Sequence, residues 1–250
     1  MLSQVGRASG HGLILVPPAL LVASVALAMP ALALVGLIVV APFLRILFGD
    51  APEGEPEWTE GFATVLEGLP VACAAACLGA TVYVVWALRR RSLGAGDLAW
   101  LGGSLWAVFM FASCAGHELL HRRSELSRAM GRILSGVIGY PLLEHEHRAH
   151  HVKGGNVEAA ECPRLDESVW AFTARRSVRV FGTAWEGDVV AASRRGNRLA
   201  GGLPVSIAAT LVTAAAFGMA AGVKGLVLYA LVALAVAWTM QVMAYVQHWG

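Results

Sequence analysis

The sequence predicts an all-α integral membrane protein with about six transmembrane helices and a cytoplasmic, histidine-rich helical region. Three observations carry that expectation. Hydrophobic residues make up 57% of the 250-residue chain and charged residues only 14%, whereas soluble domains carry about 25% charged residues. The apolar residues are gathered into runs long enough for a bilayer. Six of the eight histidines fall in two short patches, 117–121 and 144–151, beside such runs.

From Leu13 to Phe48 the chain is almost wholly apolar, interrupted by Pro17, Pro18, Pro30 and Pro42. A span takes ~20 residues, so this run predicts two helices in a hairpin turning near Met29-Pro30. Residues 49–68 are acidic, with Trp58 and Phe62 as interface anchors. A third span is expected from Leu69 to Leu88, stopped by Arg89-Arg90-Arg91. A fourth, from Leu98 to Gly116, runs directly into the first histidine patch. Residues 122–143 mix polar and apolar positions at helical spacing and are expected along the membrane surface. Pro141 suits the start of the helix that carries the second patch. Residues 152–161 read as a loop, and 165–199 as interfacial helices held by Trp170, Phe172, Phe181 and Trp185. A fifth span is expected from Leu203 to Ala221 and a sixth from Gly225 to Gln247. The whole of 1–250 reads as a single membrane-embedded domain without repeats.

The net charge of +2 says little, but 13 of the 19 Lys and Arg lie between Arg122 and Arg198. Basic loops stay on the cytoplasmic side, so this segment and its histidines are expected to face the cytoplasm. Arg89, Arg90 and Arg91 then fall on the opposite side, against the same tendency, and are outnumbered. Acidic residues interleave with the cations between apolar spans, so no nucleic-acid surface is expected. Cys73, Cys77 and Cys114 lie in apolar spans and Cys162 stands alone, which makes no disulfide framework. No cleavable signal is expected, because the first apolar run is long and continues into a second span.

Residues three or four apart on a helix share a face. His117 and His121 therefore point together, and His147, His150 and His151 leave one face of a second helix. His117-Glu118-Leu119-Leu120-His121 also fits the HExxH pattern of zinc peptidases, with Glu118 as the base that activates water. A peptidase needs one further ligand, and the second patch offers three or more. Imidazole suits iron, copper and zinc alike. Five or six histidines exceed what one ion uses, which favours two ions, and iron fits a redox task because it activates dioxygen. Glu118, Glu144 and Glu146 can each accept a hydrogen bond from the outer nitrogen of a ligating imidazole, or stand as solvated charges. His145 is about 140° round the helix from His150. It is either a hydrogen-bond partner to a ligand, a ligand itself, or solvent-facing. Trp106, Met110 and Ser113 share the His117 face and either line a substrate channel or pack against other helices. A metal transporter would need polar residues deep within the spans, and these are scarce.

The pair His-Glu-Leu-Leu-His-Arg-Arg (117–123) and Glu-His-Glu-His-Arg-Ala-His-His (144–151), set between apolar spans, resembles the membrane di-iron alkane and xylene monooxygenases of the fatty acid desaturase superfamily. The stretch Arg164 to Phe172, then Ala184-Trp185-Glu186, is similar to the segment those enzymes carry after their second histidine box. Tyr245-Val246-Gln247-His248-Trp249-Gly250 is similar to their later His-aromatic-Gly motif. The resemblance implies that His117, His121, His147, His150, His151 and His248 ligate two iron ions. It implies hydroxylation of an unactivated C–H bond of an alkane or alkyl group with dioxygen, and electrons from a rubredoxin or ferredoxin and its reductase. It also implies a place in the inner membrane. Two departures stand out. Two residues separate His147 from His150, as in desaturases, where alkane hydroxylases have three, and position 146 is Glu146; a fatty acid or lipid desaturase is therefore the alternative within the superfamily. The family's third histidine box is absent from these 250 residues, so the chain is expected to be truncated at its C-terminal end.

Overall fold

Proline and small residues decide where the first helices start and turn. Helix α1 (Val16–Ala26) follows a tight turn, Gly12–Leu15, and carries Pro17 and Pro18 in its first turn, where the missing N–H has no intrahelical partner to lose. Helix α2 runs from Leu32–Val35 through a π-helical turn, Gly36–Val40, into Ala41–Phe48. Two serines fix the bend between them. Ser24 Oγ donates to Leu20 O (2.8 Å) and accepts from Ala33 N (3.0 Å). Ser104 Oγ donates to Pro30 O (2.6 Å) and accepts from Leu34 N (3.1 Å), which ties the bend to a neighbouring helix. The hairpin thus turns at the expected proline. Its apolar limbs, Gly12–Ala26 and Leu32–Leu47, are shorter than the ~20 residues of a straightforward span.

The computed structural model describes residues 10–48, 58–153, 156–158, 162–194 and 202–248. The acidic stretch 49–57, most of the expected loop after Lys153, residues 195–201 and the terminal Trp249-Gly250 lie outside the described residues. All regular elements among the described residues are helical. Helix α3 (Glu60–Arg90) starts nine residues before the predicted span, holds Pro70 inside it, and ends at the three arginines. After residues 91–94, α4 (Ala95–His121) returns antiparallel and continues unbroken through the first histidine patch. The imidazoles of His117 and His121 therefore inherit the rigidity of a long helix.

Helix α5 (Glu125–Val137), capped by Ser124, has one exposed face and packs its other face closely against α4 and the C-terminal helix. The reason is its small-residue face. A Cβ on Gly131 would stand 3.1 Å from Gly116 O, and one on Gly136 would collide with Ser206 O, so only glycine permits either approach. Gly139, at φ +81°, closes the helix: its N–H reaches Gly136 O and that of Tyr140 reaches Ser135 O, both at 2.9 Å. Helix α6 (Leu143–Lys153) follows at once and presents the second patch. Helix α7 (Val169–Ala184) is capped by Ser168 and extends through Trp185–Val190 to Ala191–Arg194.

The final helix, α8 (Gly202–His248), breaks at Ala221-Gly222, where Gly222 takes φ +62°. A straight helix would separate residues 210 and 229 by ~28 Å. Instead Thr210 Oγ1 and the Tyr229 hydroxyl both reach Gly136 O, at 2.9 and 3.0 Å, and Phe217 stacks on Tyr229. The two limbs fold back as a hairpin clamped on the end of α5, in agreement with the fifth and sixth predicted segments. Helices α3, α4 and α8 are long and apolar enough to cross a membrane, with mean hydropathies of 2.0, 1.6 and 2.0. Half or less of each is buried within the protein (44%, 50% and 28%), so the rest of these apolar faces needs lipid.

Candidate metal centre

Three imidazoles from two helices, those of His117, His121 and His147, converge on one point, and a fourth, His151, adjoins His147. His117 and His121 come from the last turns of α4, His147 and His151 from α6. Their Nε2 atoms approach at 3.1 Å (His117–His147), 2.6 Å (His121–His147), 2.8 Å (His147–His151) and 3.3 Å (His117–His121). The rings meet edge to face. Two nitrogens bound to one first-row ion at ~2.1 Å, at 90–110°, stand about 3.0–3.4 Å apart. The observed separations lie close to that range, so the donor set fits a metal ion. Burial, and then the neighbouring imidazoles, push His147 down to about 4. At neutral pH it is uncharged, with a lone pair to give.

The remaining two histidines form a second group. His150 and His248 face each other with ring centroids 5.0 Å apart, bringing the end of α8 to α6. Both groups open onto one cavity of about 260 Å³, whose wall includes His117, His147, His150 and His248. Four of the six histidines named from the sequence thus share one cavity, while His121 and His151 line an adjoining one with His147. Ser113, Met240 and Met243 also line it, and Ser113 Oγ donates to Met110 O at 2.6 Å. Trp106 and Met110 are not part of that wall. Trp106 packs one turn and more below, its indole N–H donating to Thr239 Oγ1 (3.0 Å), and Met110 packs against the core.

The carboxylates of the second patch turn away from the imidazoles. Glu144 forms a two-pronged pair with Arg132 (2.7 and 2.9 Å); burial would raise its carboxyl, but the guanidinium outweighs this and holds it below the usual range. Glu146 pairs with Arg176 and accepts from the Tyr140 hydroxyl. Gln241 completes that network, with Oε1 2.9 Å from Arg176 Nη1 and Nε2 donating to Tyr140 at 2.6 Å. Glu118 is half-exposed and bonded to Arg122 at 2.9–3.0 Å. Among the described residues, none of the three carboxylates bonds a histidine of the cluster. His145 points to the far side of α6, its Nε2 3.3 Å from Asp188 Oδ2, and burial lowers its pKa.

Residues 96–250 match the family model described as fatty acid desaturase. The chain belongs to the fatty acid desaturase family. It is 28% identical over 222 residues to an alkane 1-monooxygenase 1 of Pseudomonas aeruginosa, covering 84% of this chain and 58% of that one. To an alkane 1-monooxygenase of Pseudomonas putida it is 29% identical, over 63% of this chain and 40% of the relative. An alkane 1-monooxygenase 2 of Alcanivorax borkumensis is 25% identical, over 62% and 42%. The chain therefore spans less than two thirds of the length of these relatives.

For this desaturase-family chain, sequence reasoning missed Arg176, Tyr140 and Gln241. Arg176 is 2% exposed and joins α6, α7 and α8 directly beneath the histidine cavity. One signal was available: Phe172, Arg176, Val180 and Ala184 recur every four residues, which puts an arginine on the buried face of α7.

Proposed function

We propose that this protein is a membrane oxygenase that hydroxylates a C–H bond of an alkane or alkyl group. In this reading His117, His121, His147, His150, His151 and His248 hold two iron ions. The single observation that carries it is the convergence of imidazole nitrogens from α4 and α6 to within 2.6–3.3 Å. Iron, when bound, supplies the reductive activation of dioxygen that oxidation of an unactivated C–H bond requires. The chain's own residues do the rest. The Arg176–Glu146–Tyr140–Gln241 network holds α6 against α7 and α8 and so fixes where His147 and His150 aim. Leu143, Met240, Met243 and Ala244 give the cavity an apolar side that receives an alkyl chain, opposite the histidines and the Glu146–Arg176 pair in the same wall. Electrons come from a rubredoxin or ferredoxin with its reductase, docking at the histidine end.

The six apolar segments (α1, α2, α3, α4 and the two limbs of α8) cross the inner membrane, with the histidines on the cytoplasmic side. The basic residues between Arg122 and Arg198 support this orientation. The HExxH peptidase reading is disfavoured because Glu118 is engaged with Arg122 outside the cavity wall. The test is turnover of an alkane under ¹⁸O₂, with iron-loaded membranes and a reduced rubredoxin system. The expected product is an ¹⁸O-labelled alcohol, abolished in His147→Ala. An unlabelled alkene from an acyl substrate would replace hydroxylation by desaturation.

A further inference from the structure

Four cations stand at the end of the bundle opposite the histidines, and the metal centre gives them no task. Arg89, Arg90 and Arg91 close α3, and Lys224 follows the break in α8; together they line a cavity of about 470 Å³. Arg91 Nη1 donates to Val25 O at 2.9 Å, and the Arg90 guanidinium stands 5.3 Å over the Trp86 ring. No carboxylate is among the described residues that line the cavity, and none of the four cations forms an ion pair with a described residue. Among the described residues the lining of this cavity is thus cationic without a carboxylate; Asp97 shares a neighbouring pocket with Arg91.

It does not end at the charged rim. Leu98 is also a wall of a second, almost wholly apolar groove of about 290 Å³ between α4 and the second limb of α8. That groove follows α4 from Leu98 to Trp106, ~12 Å at the helical rise, and the Trp106–Thr239 hydrogen bond divides it from the histidine end. Gly102 keeps it open: a Cβ there would stand 3.1 Å from Leu228 Cδ1. Trp86 and Trp100, both about half exposed, mark the level of the membrane interface at this end.

A cationic chamber at headgroup level that leads into an alkyl-sized groove matches an anion carrying a fatty tail. We infer that it binds an anionic phospholipid, with the phosphate between Arg89, Arg90 and Lys224 and one acyl chain in the α4–α8 groove. Guanidinium groups favour phosphate oxygens, and basic pockets between spans suit lipid headgroups. The lipid also accounts for the three arginines that oppose the positive-inside tendency, since its phosphate neutralises them. By joining α4 to α8 it braces the helices that carry His117, His121 and His248, without reaching them.

The test uses the detergent-extracted protein, with phosphatidylglycerol, phosphatidylcholine and inorganic phosphate as probes, read by native mass spectrometry and thermal unfolding. The expected result is retention of one phosphatidylglycerol and not of phosphatidylcholine. Retention should fall about tenfold or more in Arg89→Gln/Arg90→Gln/Lys224→Gln. Ala99→Trp, which fills the groove without changing charge, should lower it as well; Lys224→Gln alone serves if the triple variant does not fold. Equal retention of phosphatidylcholine, or charge variants that hold the lipid like the parent, would overturn the site. Inorganic phosphate raising the melting temperature as much as phosphatidylglycerol would assign the cations to a free anion. Full retention by Ala99→Trp would remove the chain from the groove. None of these readouts depends on metal.

Discussion

The two ends of the bundle handle charge in opposite ways. At the histidine end each carboxylate near the site has a cation: Glu144 has Arg132, Glu146 has Arg176, Glu167 has Arg175 and Glu118 has Arg122. Among the described residues no carboxylate bonds the converging His117, His121 and His147, and burial holds His117 and His147 below the usual imidazole range, which suits a metal cation. At the other end Arg89, Arg90 and Lys224 have no carboxylate among the described residues, which suits an anion. For Glu144 and Glu146 the arrangement is a property of the fold, because their partners come from α5 and α7 and not from the patch itself.

The comparison is broken most severely at the donors. His147→Ala, which removes the nitrogen nearest to all the others, should lower metal affinity about hundredfold or more, measured by competition with a chelator. Helix content by circular dichroism should stay unchanged. Next comes the buried pair beneath the cavity. Glu146→Ala removes the carboxylate that Arg176 meets in this buried site and should cost about 3–5 kcal/mol in unfolding. Replacing both by methionine should recover most of that loss; a double variant as unstable as the single would mean that the pair is not coupled.

Smaller effects test how the helices are held. Gly136→Ala forces a methyl group against Ser206 O and within 2.6 Å of Ala209 Cβ. It should cost about 1–3 kcal/mol or more, whereas Gly182→Ala, which meets nothing within 4 Å, should be near neutral. The Glu167–Arg175 pair ties the loop before α7 to that helix, and the guanidinium holds the Glu167 carboxyl down at about 2. Its contribution is therefore complete above the unfolded value of about 4.3 and is lost as the pH falls from there through about 2. Acid unfolding of Arg175→Gln should show a weaker pH dependence in that window. The smallest change is expected at Glu118. Its exposed bridge to Arg122 is worth about 0–1 kcal/mol, and Glu118→Gln should leave metal content unchanged. Complete loss of activity in that variant, with metal retained, would instead revive the peptidase role.

What could be read from the sequence was local. The i, i+4 spacing of His117 and His121, and the i, i+3, i+4 spacing of the second patch, marked the two histidine faces that the structure brings close together. Pro30 marked the first hairpin, and the polar break before Gly225 marked the last. The carboxylates were legible as residues but not as partners. Each of them directly neighbours a histidine, and one residue turns a helix by 100°, so Glu144 meets α5, Glu146 meets α7 and Glu118 meets Arg122 at the end of its own helix. Arg176, 30 residues from Glu146 and 65 from Gln241, is paired through tertiary packing that no local pattern encodes. The close approach of α5 to its neighbours was not legible, because beside Leu134 and Val137 its buried face carries Gly131, Ser135 and Gly136, which give little hydrophobic signal. Those small residues matter because they let backbones meet.

The central claim is that imidazoles from separate helices share a pair of redox-active ions. X-ray absorption at the iron edge, with metal counted per chain, tests it most directly. About two irons are expected, each in a nitrogen-rich shell at about 2.0–2.2 Å, the reach of imidazole bonds to first-row ions. Stoichiometric zinc with no iron, or iron surrounded by oxygen alone, would contradict it.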